Sequence, residues 1–260
     1  MSTAAFENRG WAVFDPEPAV DAWCAAANIR ADAVMRDPRR ARENLRHGRT
    51  WFVGVDVMGC DPFGAVPGGP KLGGAGVEFA AAQMSDNWSG DWGRGQLSVA
   101  YPGYPRRDPQ ESVANHRFRA LRDGAHLDGL LPIGPARRRK FVEPHGVIVG
   151  IALDDSRAAR SPLVVWEGSH LRLRAMMRAA LGDVPEAQMS DIDLTEIYAA
   201  TRKACFAECP RIELGVEPGQ VIVLHRALLH GIAPWRSPTP RPRRAVYFRP
   251  ELPTVTDWLA

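Results

Sequence analysis

The chain lacks most of the features that would assign it at a glance. Its 260 residues hold only four cysteines, Cys24, Cys60, Cys205 and Cys209, too few and too scattered for the disulfide framework of a secreted domain. Cys205 and Cys209 stand four apart, but no second Cys or His pair lies nearby at zinc-site spacing, so no structural zinc is expected. Charge of one sign is also missing. The balance of 33 Lys plus Arg against 30 Asp plus Glu leaves a formal charge of +3, which gives no basis for nucleic-acid binding. No apolar run approaches a bilayer span; the longest, Gly146 to Leu153, has the length of one buried strand. Residues Met1 to Glu17 lack the cationic-then-apolar order of a signal peptide. We therefore expect reduced thiols, a cytoplasmic location, and neither membrane nor nucleic acid as a partner. A phosphate-cradling loop is absent too, because no Gly-Lys-Ser or Gly-Lys-Thr occurs and Lys71 precedes Leu72.

What is present is enough apolar material, 45% of residues, for one sizeable core. Neither an internal repeat nor a Ser- or Gly-rich linker divides the chain, so residues 1–260 are read as one domain, with a helical flank over about 1–50 and the core over about 51–250. The 24 glycines and 22 prolines predict many turns and short strands. Ala19 to Met35 is Ala-rich, with Val20, Trp23, Ala27 and Val34 near helical spacing, and predicts an amphipathic helix. Further helices are predicted over Ser112 to Leu121, Leu171 to Leu181 and Ile192 to Ala204. Strands are predicted over Trp51 to Val57, Gln96 to Tyr101, Ala125 to Leu130, Gly146 to Leu153 and Pro162 to Trp166, then Arg211 to Gly215, Gly219 to Leu224 and Arg244 to Phe248. Between Gly59 and Gly76, seven glycines and three prolines predict an irregular loop or mobile flap beside a pocket. Helices at the front and strands behind them predict an α+β fold, mainly β, built on a sandwich.

The segment Gly124 to Pro132, GAHLDGLLP, carries chemistry. On a strand, residues two apart share a face about 6.6 Å apart, so His126 and Asp128 can converge on one ion. On a helix the same spacing would turn them about 200° apart. A third ligand is His230, at the end of the run begun by Pro218-Gly219. Two histidines and one carboxylate with open positions make the facial triad of non-haem Fe(II) oxygenases. Zinc enzymes use the same ligand types, so the residues alone leave the metal open.

From Phe6 to Phe248 the chain resembles the phytanoyl-CoA dioxygenase-like family of Fe(II)/2-oxoglutarate oxygenases. The resemblance is carried by Phe6 to Gly10, His126-Leu127-Asp128, Pro162 to His170 (PLVVWEGSH), Pro218 to His225 (PGQVIVLH), His230-Gly231 and Arg243 to Ala245. It implies a double-stranded β-helix, the cupin-like jelly roll, with flanking helices and the metal between its sheets. It further implies Fe(II) on His126, Asp128 and His230, with 2-oxoglutarate and O2 as co-reactants. An arginine on a late strand then pairs with the far carboxylate of 2-oxoglutarate, since a guanidinium offers a fixed bidentate fork. Arg243 is the first choice. Arg244 and Arg241 are the alternatives, because the gap from His230 is about two residues longer than the family's and strand neighbours face opposite ways. The implied reaction decarboxylates 2-oxoglutarate to succinate and CO2 and hydroxylates a C–H bond of a small molecule. Asp128 argues against the halogenating relatives, which lose that carboxylate.

Other polar residues have plainer readings. His225 lies an odd spacing from His230 and should face away from the metal; His170 should fix its loop. His145 could line the pocket mouth or bond to a strand edge, and Trp88 and Trp92 suit core packing. The run Arg137 to Lys140 is read as a solvated loop, or as the site of an anionic group on the substrate if it folds over the mouth. Gln96, on the neighbouring strand, is a contact for cosubstrate or substrate. Two rival functions stay open: a non-catalytic metal- or ligand-binding jelly roll, and a zinc or manganese hydrolase or isomerase using the same ligands.

Overall fold

Short β-branched runs punctuated by Gly and Pro build the core, and a computed structural model of the chain describes residues 2–260 of it. The N-terminal part runs α1 (Thr3–Arg9), β1 (Trp11–Phe14), α2 (Pro18–Arg36), α3 (Pro38–Asn44), β2 (Leu45–Arg46), β3 (Trp51–Gly54) and α4 (Ala75–Ala81). Next come β4 (Gln96–Ala100), α5 (Val113–Arg122), β5 (Leu130–Ile133), β6 (Arg138–Phe141), β7 (Val147–Ala152) and β8 (Leu163–Trp166). The chain ends with α6 (Ser169–Leu181), α7 (Glu186–Met189), α8 (Thr195–Glu208), β9 (Arg211–Leu214), β10 (Val221–His225), β11 (His230–Ile232), β12 (Arg243–Phe248) and α9 (Val255–Leu259).

Seven strands form an antiparallel sheet in the order β1-β10-β7-β12-β4-β3-β2, three form a smaller sheet β11-β8-β9, and β5 pairs with β6. Strand alternation sorts the side chains into layers. From β12, Ala245 and Tyr247 face inward with Ile148 and Leu224, against Leu163 and Val165 of the small sheet. Val246 and Phe248 face outward into a cluster with α2, where Phe248 meets Trp23 edge-on at 5.9 Å between ring centroids. Behind the small sheet, Trp166 packs with Leu173, Met177, Tyr198 and Trp258 from α6, α8 and α9. Because β7 lies mid-sheet under both layers, all six of its residues are buried, and its sequence VIVGIA shows no alternation. Helices hold 33% of the residues and strands 22%, so the β character lies in the core and not in the count. No helix among the described residues is long and apolar enough to cross a membrane.

Two segments differ from expectation. The glycine-rich loop is irregular but not a flap: Trp23 Nε1 donates to Gly64 O at 2.8 Å, Arg30 donates to Val57 O and Met58 O, and Val66 and Leu72 are buried against α2. Only its start, Cys60 to Pro62, reaches the cavity. Arg138 to Lys140 lie in a hairpin strand rather than a solvated loop. The hairpin docks on the start of α8, with Arg138 against Asp193 and Glu196 and Lys140 against Asp191. Of that run only Arg139 reaches the cavity wall, so the case for an anionic substrate group narrows to one side chain.

One ion pair braces the segment ahead of the His-x-Asp triplet. Asp123, whose side chain is 2% exposed, receives Arg211 Nε and Nη2 from β9, each at 2.7 Å. Its backbone O also accepts Ile232 N of β11. Removing one partner leaves a buried charge uncompensated, so Arg211→Met should lower stability by about 3 kcal/mol. A urea midpoint unchanged at constant slope would refute the brace.

Candidate metal centre

Three left-handed residues shape the segment that follows α5: Asp123 (φ 56°), Gly124 (φ 63°) and Gly129 (φ 79°). They break the strand expected over Ala125 to Leu130. His126 forms a single β-bridge with His230, Asp128 sits in a turn, and the strand begins only at Leu130. Convergence survives because the bridge is reciprocal: His126 N donates to His230 O at 2.9 Å, and His230 N to His126 O at 3.2 Å. At Gly231 a Cβ would lie 2.3 Å from Asp123 O, so only glycine lets β11 approach this closely.

One nitrogen or oxygen from each of His126, Asp128 and His230 lies within 4.8 Å of the others. His126 Nε2 is 3.1 Å from Asp128 Oδ1, and His230 Nε2 is 3.6 Å from Asp128 Oδ2. The opposite ring nitrogens settle the tautomers. His126 Nδ1 lies 3.1 Å from Gly124 O and His230 Nδ1 lies 2.9 Å from Leu228 O, so each Nδ1 carries the proton and donates it. Both Nε2 atoms therefore face the one carboxylate, where the three groups can share a cation. His230 Nε2 is buried with no hydrogen-bond partner. This donor set fits a divalent metal of the iron or zinc kind. The His126 side chain is 47% exposed and that of His230 only 4%, so the centre opens to solvent on the His126 side.

Charge is balanced inside the site. Burial opposes ionisation of Asp128, but Arg249, His230 and His126 hold its carboxyl well below the usual range. Arg249 Nε donates to Asp128 Oδ2 at 2.6 Å and Nη1 to Gln96 Oε1 at 3.2 Å. Burial pushes His230 down to about 4 against the pull of Asp128, leaving it neutral, the form that ligates a metal.

The three candidate arginines separate by face. Arg243 opens β12 on the inward face and is 2% exposed; one guanidinium nitrogen donates to Ser161 O, while Nε and Nη1 are buried without partners. Arg244 faces outward, bound to Asp154 and Asp32, and is set aside. Arg241 is exposed in the turn before β12 and is set aside too. A cavity of about 1280 Å³ runs from the three candidate ligands between the sheets, with Trp51, Ser98, Tyr104, Arg119 and Tyr247 on its wall. Arg243 is not on that wall, but its charge and that of Arg119 oppose the burial that pushes the Tyr104 hydroxyl up to about 12. Gln96 and His145 do line the cavity. His225 stacks on His170 at 4.8 Å, away from the ligands, and Trp88 packs on Trp92 at 5.0 Å. Sequence reasoning missed Arg249, although 243, 245, 247 and 249 alternate onto one face and the signal was there to read.

A family model described as phytanoyl-CoA dioxygenase (PhyH) matches residues 120–245, a span holding all three candidate ligands and Arg243. Solved structures of similar shape include the non-heme alpha ketoglutarate dependent carbocyclase SnoK from nogalamycin biosynthesis. It is 18% identical with a TM-score of 0.50, over 96% of this chain and 84% of that one. AviO1 from Streptomyces viridochromogenes Tue57 is 19% identical with a TM-score of 0.50, over 97% and 96%. EvdMO1 is 16% identical with a TM-score of 0.52, over 95% of this chain but 48% of that one. At such identities the structures speak for the fold alone, and they bear out the cupin-like jelly roll. No curated protein matches the chain. The family match agrees with the resemblance to the phytanoyl-CoA dioxygenase-like family and supports the general class of Fe(II)/2-oxoglutarate oxygenases, with Fe(II), 2-oxoglutarate and O2 as cofactor and co-reactants.

Gly231→Ala should push β11 off Asp123 and part the two histidines, weakening Co(II) binding at least about tenfold while the circular dichroism is kept. Unchanged Co(II) affinity would show that the close approach does not set the site.

Proposed function

We propose that this chain is a hydroxylase of an unactivated C–H bond in a small molecule, with His126, Asp128 and His230 holding Fe(II) and Arg243 receiving the far carboxylate of 2-oxoglutarate. The observation that carries the reading is the convergence of two imidazole Nε2 atoms on one buried carboxylate, with each Nδ1 turned to a backbone carbonyl, an arrangement that suits a cation at its centre. Bound iron and 2-oxoglutarate would supply the oxidising chemistry, in which 2-oxoglutarate and O2 become succinate and CO2 and the substrate gains one oxygen atom.

The chain's own residues would do the rest. Gly124 O and Leu228 O fix the imidazoles by accepting hydrogen bonds from Nδ1–H, so each ring presents Nε2. Arg243 keeps two guanidinium nitrogens unpaired inside the protein, and a buried donor without an acceptor is costly, so an anionic oxygen arriving there relieves that cost. Ile148, Leu163, Leu224 and Ile232 give the cavity an apolar lining that limits water around the reacting bond. Its volume of about 1280 Å³ exceeds the range of roughly 300–1,000 Å³ usual for small-molecule sites, which suits a cosubstrate and a sizeable substrate together. Four unbridged cysteines suit a reducing compartment, in line with a cytoplasmic enzyme, and residues 1–260 would act as one domain.

A second outcome is ring closure, the activity named for the carbocyclase that shares this fold. Product mass decides between the two, since only hydroxylation adds an oxygen atom.

Asp128→Ala should abolish 2-oxoglutarate-dependent succinate release with the fold retained. Anaerobic addition of 2-oxoglutarate to the Fe(II) protein should raise a visible charge-transfer band, and no band would favour a non-catalytic jelly roll. Activity restored by zinc, and not by iron with ascorbate, would favour a hydrolase or isomerase. Arg243→Met should weaken 2-oxoglutarate binding about 100-fold, roughly 2.7 kcal/mol, with iron affinity unchanged. An unchanged 2-oxoglutarate affinity would remove Arg243 from the site.

A further inference from the structure

The two oxygens of Asp128 are not equivalent. Oδ1 has His126 Nε2 as its near neighbour at 3.1 Å and no guanidinium against it. Oδ2 has His230 Nε2 at 3.6 Å, but its nearer partner is Arg249 Nε, which donates to it at 2.6 Å. That guanidinium cannot swing freely. Its Nη1 donates to Gln96 Oε1 at the start of β4, and its carbon lies 5.7 Å from the Tyr247 ring centroid. Gln96, placed by sequence as a cosubstrate contact, thus has its side-chain oxygen occupied in holding the arginine.

We infer that Arg249 is a positioning residue that confines Asp128 to ligation through Oδ1, and so sets how many positions on the metal stay open to other ligands. This rests on the triad being a metal site. A carboxylate beside a dication binds through one oxygen or both. With one oxygen, the chain supplies three ligands; with both, it supplies four, and a position that an incoming ligand would use is lost. A charge-assisted hydrogen bond from a fixed guanidinium is among the stronger contacts available to Oδ2. It draws electron density from that oxygen and holds the carboxylate plane against rotation toward the ion.

Three roles for Arg249 give different results on the Co(II) protein. A mere strut would lower stability and leave the metal's ligand-field spectrum alone. A direct contact for 2-oxoglutarate would leave the spectrum alone until 2-oxoglutarate is added. Confinement of Asp128 alters the spectrum of the Co(II) protein with nothing else present.

The test is Co(II) titration of the parent chain and of Arg249→Met, followed by imidazole as a neutral probe of open positions, chosen so that loss of the arginine charge does not itself attract or repel it. In Arg249→Met we expect a changed visible spectrum before any addition, Co(II) bound no more weakly, and imidazole bound about tenfold more weakly. A spectrum and an imidazole affinity equal to the parent's would overturn the inference. Should Arg249→Met not fold, Gln96→Leu carries the test: the same changes at smaller amplitude support confinement, and identity with the parent overturns it. A parent chain that binds no Co(II) would remove the metal centre itself, a result distinct from failure of the Arg249 role.

Discussion

Two backbone hydrogen bonds exchanged between His126 and His230 hold the site together. They join a turn-rich segment that follows α5 to a three-residue strand of the small sheet, more than a hundred residues later in the chain. Everything chemical is measured from that bridge. It sets the two rings 4.7 Å apart between centroids, and it places Asp128, two residues on, where its carboxylate meets both. The bridge is possible because Gly231 has no side chain to strike Asp123 O, and because Asp123 is itself tied to β9 through Arg211.

Around this bridge the protein gathers groups that a cation would pair. Two imidazoles have their protons drawn to backbone carbonyls, a buried carboxylate is kept ionised by Arg249, and the three sets of lone pairs share one small volume. Where they are buried, as at His230 and Asp128, such groups are expensive when unpaired and strong when paired. The same logic recurs at Arg243, whose two unpaired nitrogens lie buried between the sheets. A chain that keeps a cation-seeking cluster and an anion-seeking guanidinium within one sandwich has the polarity that a metal-chelated dicarboxylate would match.

Much of the fold was legible because it follows from local pattern. α2 was predicted over Ala19 to Met35 and spans Pro18–Arg36, since Val20, Trp23, Ala27 and Val34 mark one buried face. β7, β8, β10 and β12 fall within a residue or two of their predicted ranges, being β-branched runs bounded by Gly, Pro or Asp. Legibility failed where contacts between distant segments overrode composition. Seven glycines between Gly59 and Gly76 suggested mobility, yet Trp23 and Arg30 on α2 bind the backbone of that loop and its immediate approach. Four adjacent cationic residues suggested solvent, yet carboxylates of a later segment, Asp191, Asp193 and Glu196, neutralise Arg138 and Lys140. The strand expected through His126 and Asp128 gave way to a turn because left-handed backbone at Asp123, Gly124 and Gly129 leaves no run for a ladder.

Residue identity and spacing put forward His126, Asp128 and His230 as candidate ligands and a sandwich of short strands as the fold, while the arginine shortlist and the jelly-roll class came from the order of motifs that the chain shares with the family it resembles. Tertiary structure alone decided which arginine faces inward, which oxygen of Asp128 remains available, and that Arg249 and Gln96 stand behind it. Those outcomes turn on side-chain direction across a pleated sheet and on partners more than a hundred residues apart, and no local pattern carries the distance between them.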